Sequence, residues 1–436
     1  MKLHSYLGGI TVKSHKTQSK DCEIKSLVPQ ADMVYPLLSY GENVVRPCVN
    51  IGDKVKIGQK IACAQDDMLG VFSSVSGVVK AIEDRAISNK TQKTIVIEND
   101  NNYEEDDFYE VVELDQMDYD DITEIVGKYG IREYDSSQKP LYEKLKYAKG
   151  KSIEYVIINA VECEPYFTSV YRRILEEPEL IVNGIKVLRH LFPKAEIVMA
   201  IGEDKMDAVI EMEKRLKNEP DTEVTAIENK YPSGDFTYLI YQILGNVYKS
   251  DTEAIQNGVI SVLADTVCAL STAVLEGIPP MSRVITLSGS ESNNPGNYEV
   301  LFGTSVDDVI KLSGGVKQEP YMIVNGGVFK GEIIENTDIP VTAGVEGILL
   351  LSKKEAPIYE PEECIRCGRC MNVCPDRLVP EKLLKYAVSG KTAGFLKWHG
   401  DECSLCGCCS YVCPAHIPLM GYIKDIKSKI NKEGEK

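Results

Sequence analysis

The chain has 436 residues, 49 Lys and Arg against 66 Asp and Glu, a net charge of −17 and 43% hydrophobic residues. That length predicts roughly two to four domains with real cores, and the acidic balance excludes a nucleic-acid partner, which needs a basic face for phosphates. Met1-Lys2-Leu3-His4-Ser5 opens no apolar export segment, and the longest uncharged-looking stretch, Ala254 to Leu275, contains Asp265 and reads as a buried core helix. The expectation is a cytoplasmic protein that meets a membrane only through partners, on the cytoplasmic face.

In chain order, residues 1–22 read as an irregular arm around Gly8-Gly9-Ile10. Between Val44 and Ile82, short alternating runs broken by Gly-Asp and Ser-Gly turns predict a small β-sandwich. Gly52-Asp53-Lys54-Val55-Lys56-Ile57-Gly58-Gln59, followed by Ser76-Gly77-Val78-Val79, resembles the biotinyl/lipoyl barrel-sandwich fold. No Lys lies between Gln65 and Gly77, so a swinging-arm carrier role is rejected. Glu98 to Glu124 holds 13 Asp and Glu and no Lys or Arg, and reads as a solvated acidic linker.

Beyond it strands and helices alternate. Tyr155–Ile158, Glu196–Ile201 and Glu223–Ile227 read as strands; Pro178–Phe192, a segment capped by Asp204, and Phe236–Leu244 read as helices. Such alternation with short connections makes a parallel α/β sheet whose ligands sit at the strands' carboxyl ends. Tyr231-Pro232-Ser233-Gly234-Asp235 is a strand-to-helix turn that faces the same end. From Arg283 the pattern returns to short strands and one helix, a β-grasp-like order, and Glu355–Glu362 reads as a linker. Lys424 to Lys436 reads as a polar tail.

Two cysteine runs dominate the last quarter: Cys364, Cys367, Cys370 and Cys374-Pro375, then Cys403, Cys406, Cys409 and Cys413-Pro414. Each is C-x2-C-x2-C-x3-C-P, the bacterial ferredoxin spacing, in which the fourth Cys serves the other cluster. One [4Fe-4S] cluster is therefore assigned to Cys364, Cys367, Cys370 and Cys413, and a second to Cys403, Cys406, Cys409 and Cys374. Disulfide scaffolds suit short secreted chains, and zinc knuckles use two Cys pairs, so neither explains the doubled pattern. Cys408 is surplus to the spacing.

Several stretches together resemble one family, the RnfC subunit of the Rnf ferredoxin:NAD oxidoreductase and its RnfC-like relatives. They are Gly8-Gly9-Ile10, the 52–59 motif, Asn159-Ala160-Val161-Glu162-Cys163-Glu164-Pro165-Tyr166, the turn at 231–235, Pro295-Gly296-Asn297 with Gly303-Thr304, Gly326-Gly327 and both cysteine runs. The middle resembles the flavin-bearing subunit of respiratory complex I. The resemblance implies a multidomain α/β and α+β fold. Its parts are an arm plus barrel-sandwich domain (1–97), the acidic linker (98–124), a Rossmann-like domain (125–280), an SLBB-like β-grasp domain (281–354) and a helical ferredoxin-type domain (355–436). It further implies an electron relay between NADH and ferredoxin in an ion-pumping complex, with Rnf membrane subunits, ferredoxin or a dedicated proline- or cobalamin-type reductase as redox partners. A non-enzymatic scaffold with structural clusters is the alternative of another class.

The resemblance also implies an FMN and NADH pocket around Gly130, Glu162, Glu164, Tyr231 and Gly234. The family's loop there is of the type G-I-x-G-x-G-G-A-G-F-P followed by K-L. Gly130, Ile131, Pro140, Lys144 and Leu145 keep that frame, but Glu133, Asp135, Ser136 and Gln138 replace its glycines. Cβ atoms block the approach of backbone amides to a phosphate. Two carboxylates also repel it, by roughly 1 kcal/mol at ~4 Å in water and more where water is excluded. Tight FMN binding and NADH oxidation are therefore not expected at this loop.

Overall fold

The computed structural model describes residues 3–87, 90–106 and 112–434. Residues 33–99 form two facing sheets. Lys54–Val55, Gly77–Ile87, Lys90–Asn99 and Met33–Pro36 make one; Arg46–Pro47, Lys60–Cys63 and Val71–Phe72 make the other. Met33, Tyr35, Ile61, Phe72, Val75, Ile95 and Ile97 fill the space between them.

Of the acidic run, residues 107–111 lie outside the described residues. The flanks are folded rather than free. Ile57 donates to the Glu104 carbonyl at 2.9 Å and accepts from Asp106 N at 2.8 Å. Farther on, Asp118 and Asp121 form a capping box on the helix Tyr119–Lys128. Carboxylates satisfy unpaired amides and oppose the positive end of the dipole at a helix start. Charge patterning alone reads that chemistry as solvation.

The central sheet is wholly parallel, in the order Thr222–Ile227, Glu196–Gly202, Tyr155–Ala160, Val259–Leu263. Side chains alternate across it. Val156 and Ile158 face the helices Pro178–Leu191 and Ala264–Leu275, while Ile157 faces Leu239, Ile240 and Ile243 of Phe236–Leu244. The single helix expected over 254–275 is instead the end of Asp251–Gln256, the strand Val259–Leu263 and the helix Ala264–Leu275. A fully buried strand and a buried helix carry the same unbroken apolar run, so periodicity does not separate them. Asp204 caps no helix; its carboxylate lies 3.1 Å from Lys205 Nζ and 3.7 Å from Lys16 Nζ.

A mixed sheet follows, built from Ser282–Ser288, Gly296–Leu301, Met322–Asn325, Glu332–Ile334 and Gly347–Leu351. Its edge is completed from far upstream: Ile24–Leu27 pairs in parallel with Gly296–Leu301, Ile24 opposite Asn297. The C-terminal helices enclose Leu378, Leu383, Phe395, Ile423 and Ile426. The expected polar tail is part of the helix Leu419–Gly434, whose Ile423, Ile426 and Ile430 fall on one face and join that core; Glu435 and Lys436 lie outside the described residues. No helix among the described residues is long and apolar enough to cross a membrane.

The arm ties these units together. Gly9 N donates to Val373 O at 2.9 Å, Ile10 and Tyr231 exchange two backbone hydrogen bonds, and Tyr166 N donates to Ser14 O. Gly8 has φ +83°, and a Cβ there would sit 2.6 Å from the Cys374 carbonyl oxygen. Only a glycine lets the arm lie this close to the cysteine run.

Candidate functional site

A cleft of about 1560 Å³ opens at the carboxyl ends of the parallel strands and reaches the C-terminal helical unit. Glu162, Glu164, Tyr231 and Gly234 line it. Gly130 does not. Its φ is +63° and a Cβ would lie 2.2 Å from Gly70 O, so this glycine serves the contact with the barrel-sandwich module. Asn159, one residue before the end of the strand Tyr155–Ala160, donates to Gly234 O at 2.8 Å, which fixes the turn at 231–235 against the strand end.

The two glutamates differ in availability. Glu162 is occupied as a helix cap, accepting from Val170 N at 2.9 Å and Tyr171 N at 3.1 Å. Glu164 is buried, accepts from Phe329 N at 3.3 Å through Oε2, and has no partner for Oε1 among the described residues. Burial, with Glu346 nearby, pushes its carboxyl up to about 8; burial likewise pushes Glu346 to about 7. Between Glu162 and Glu164, Cys163 is a half-buried thiol that desolvation pushes up to about 12, protonated at neutral pH.

This pair predicts a pH dependence. A carboxyl raised above its unfolded value of about 4.3 binds more protons in the folded state, so stability falls as pH rises between the two values. The urea midpoint should therefore drop from about pH 5 to about pH 8, and Glu164→Gln with Glu346→Gln should flatten that slope. An unchanged slope in the double variant would remove these groups as its cause.

The degenerate loop is closed on itself. Glu133, 3% exposed, meets Lys144 Nζ at 2.5 Å, Thr266 Oγ1 at 3.0 Å and Leu263 N at 3.3 Å. Lys144 also reaches Asp251 at 3.0 Å and Ser261 O at 2.8 Å. Burial opposes the charge on Lys144, but Glu133 and Asp251 more than offset it and hold the ammonium above the ordinary lysine range. Four of the loop amides are spent too: Glu133 N goes to Lys139 O, Tyr134 N to Thr266 Oγ1, Ser137 N to Asp135 Oδ1 and Gln138 N to Asp135 O. Gln138 keeps a left-handed φ of +44° at a position where the family loop has glycine. Lysine, helix start and four of the loop amides are thus engaged within the protein, and with Cβ atoms and two carboxylates in place of glycines these residues do not fit a flavin phosphate.

The two cysteine runs share one backbone. Arg366 and Leu405, Gly368 and Gly407, and Arg377 and His416 hold matching positive φ values. Cys374, from the first run, lines one small cavity with Cys403, Cys406 and Cys409 of the second, walled by Leu378, Leu383, Leu405 and Ile423. Leu378 N donates to Cys374 Sγ at 3.4 Å. Cys370 and Cys413 pack together with Ile417 and Leu419, while Cys364 and Cys367 are exposed. No set of thiols among the described residues gathers round a single-ion position; four thiols spread about an apolar cavity suit a cubane cluster instead. Cys408, fully buried, packs on Ile10 and Tyr231 outside that cavity.

Cleft and cysteine cavity adjoin at Cys403, which lines both. Tyr238 donates to Asp376 Oδ1, and Asp376 Oδ2 accepts from Ser404 N and Ser404 Oγ, each at 2.8 Å. Tyr231 donates to Cys406 O at 2.8 Å and stacks on Phe329 with ring centroids 4.2 Å apart. Tyr238, Asp376, Ser404 and Phe329 escaped sequence reading. For Asp376 and Ser404 a signal existed, since each stands within two residues of an assigned cysteine.

The family model of the RnfC barrel sandwich hybrid domain matches residues 4–102, that of the Nuo51 FMN-binding domain 126–273, and that of the 4Fe-4S dicluster domain 360–417. The C subunit of the Na(+)-translocating ferredoxin:NAD(+) oxidoreductase complex of Acetobacterium woodii is 31% identical over 344 residues, 78% of each chain. The C subunit of the proton-translocating ferredoxin:NAD(+) oxidoreductase complex of Clostridium ljungdahlii is 32% identical over 390 residues, 87% of this chain and 84% of that one. The C subunit of the ion-translocating oxidoreductase complex of Haemophilus influenzae strain PittEE is 30% identical across 98% of this chain and 66% of its own. Among solved structures, a chain of an NAD+-reducing [NiFe]-hydrogenase in the air-oxidized state aligns with TM-score 0.51 at 15% identity, over 72% of this chain and 64% of that one. At that identity the likeness is one of fold.

Proposed function

Because the chain belongs to the RnfC family, the C subunits of ion-translocating ferredoxin:NAD(+) oxidoreductases, we propose that it is a single-electron relay carrying two [4Fe-4S] clusters between redox protein partners. Cys364, Cys367, Cys370 and Cys413 would hold one cluster; Cys403, Cys406, Cys409 and Cys374 would hold the other. A cubane cluster supplies a one-electron couple tuned by burial and by N–H bonds to sulfur. The chain's residues prepare for that. Leu378, Leu383, Leu405 and Ile423 keep water from the second set of thiols, the Leu378 amide bonds Cys374 Sγ, and Asp376 ties Tyr238 of the α/β domain to Ser404. The observation that carries the reading is the convergence of cysteines from both runs on one enclosed cavity.

In this reading the parallel-sheet domain is Rossmann-like, the mixed-sheet domain is SLBB-like, and a membrane is met through partner subunits. The closed loop around Glu133 speaks against FMN held by its phosphate and against NADH oxidation through it. Anaerobic purification with iron, sulfide and flavin quantitation tests the proposal. About eight iron atoms per chain are expected, with substoichiometric flavin and a reduced-state EPR signal after dithionite. Iron without any reducible cluster would instead support a structural scaffold, and stoichiometric FMN would reopen the cleft as a flavin site.

A further inference from the structure

Cys48 and Cys63 belong to neither cysteine run, and neither lines the cleft. They sit on facing strands of the smaller sheet in the barrel-sandwich module. Arg46 lies opposite Cys63 and Pro47 opposite Ala62, and Cys48 N continues the ladder to Ile61 O at 2.8 Å. The ladder brings the two Sγ atoms to 3.2 Å. Cys48 is exposed and Cys63 half-buried, so a reagent from solvent meets Cys48 first. Burial and the neighbouring Cys48 push the Cys63 thiol up to about 12, so it is the poorer first nucleophile of the two by access and by charge. No third metal-ligating side chain joins them among the described residues.

We propose that Cys48 and Cys63 are a reversible dithiol/disulfide pair, oxidised by small-molecule disulfides. The Cys48 thiolate attacks one sulfur of the small disulfide; its S–S bond breaks and one small thiolate leaves. Cys63 then attacks the Cys48 sulfur of the mixed disulfide and expels the second small thiol. The two protein thiols lose two electrons and two protons, and the small disulfide gains both. Two thiols whose sulfurs already lie 3.2 Å apart need only close to the bonded distance of about 2 Å.

The test uses the full-length protein, purified anaerobically with its clusters and equilibrated in glutathione buffers of increasing oxidised fraction. The samples are acid-quenched, alkylated and mapped by tryptic mass spectrometry. The expected product is a cross-link between the peptides carrying Cys48 and Cys63, two hydrogens lighter than the pair, abolished by dithiothreitol and half-formed while the glutathione pool is still mostly reduced. Cys63→Ser should instead accumulate a glutathione adduct on Cys48, with cluster absorbance unchanged. Recovery of both cysteines alkylated at every ratio would overturn the proposal, as would a stable glutathione adduct on Cys48 in the unsubstituted protein.

Discussion

Cys374→Ser removes about four of eight iron atoms, and the cluster it removes is the one belonging to the second run. Cys374 stands in the first run by sequence, but its thiol lines the cavity of Cys403, Cys406 and Cys409. Double variants separate crossed from uncrossed ligation. In the crossed arrangement, Cys374→Ser with Cys403→Ser loses no more iron than either single variant, because both remove the same cluster. Cys374→Ser with Cys364→Ser loses nearly all of it. Uncrossed runs would give the reverse, so iron content alone decides, and EPR of the reduced single variant identifies the surviving cluster. Electron transfer to any acceptor should stop in Cys374→Ser, since a single remaining cluster breaks the relay.

Glu133→Ala lowers folding stability by about 3 kcal/mol. The carboxylate and Lys144 are both nearly buried, at 4% and 10% side-chain exposure. Removing one member of such a pair leaves an uncompensated charge, a loss of about 3–5 kcal/mol; Asp251, at 3.0 Å, keeps the effect at the lower end. Urea unfolding of the two proteins at pH 7 measures it, and a loss below about 1 kcal/mol would place the pair with weak surface bridges. Glu133→Gly combined with Asp135→Gly makes a second demand. It removes Glu133 from Lys144 and Leu263 N and Asp135 from Ser137 N, leaving Lys144 on Asp251 and Ser261 O, so FMN affinity, read by quenching of flavin fluorescence, should rise at least tenfold, or about 1.4 kcal/mol. No gain would mean that the cleft is closed to phosphate by more than these two carboxylates.

Much of this arrangement was legible in the residues. Spacing and repetition set out the cysteine runs, and short apolar runs in strand–helix alternation located Tyr155–Ala160, Glu196–Gly202 and Phe236–Leu244 to within two residues. What escaped was long-range. Nothing local to Ile24–Leu27 reveals that its sheet partner is Gly296–Leu301, because an edge strand is chosen by the sheet that needs it. Cys48 and Cys63 look like scattered small residues until a strand pairing sets them diagonally across from each other on one face. Glu162 and Glu164 look alike in sequence. One caps a helix and the other is left short of a partner, a difference made by the helix Ser169–Glu176 and by Phe329. The loop is the opposite case. Glu133 and Asp135 stood out from the family's glycines before any contact was known; Glu133 is taken up by Lys144, Thr266 and Leu263, and Asp135 by Ser137.

The arm at Gly8–Ile10 has a consequence for the making of the protein. The ninth residue is bonded to the 373rd, and the tenth to the 231st. At a synthesis rate of about 5–20 residues per second, the arm leaves the ribosome roughly 20–70 s before its final partner is made. Throughout that interval its seat beside Cys374 does not exist. The bonds to Tyr231 can form first, and the bond to Val373 closes only on a chain whose first cysteine run has emerged. The segment Gly8–Ile10 thus works as a clasp on the first cysteine run, which it can close only once Val373 has been made.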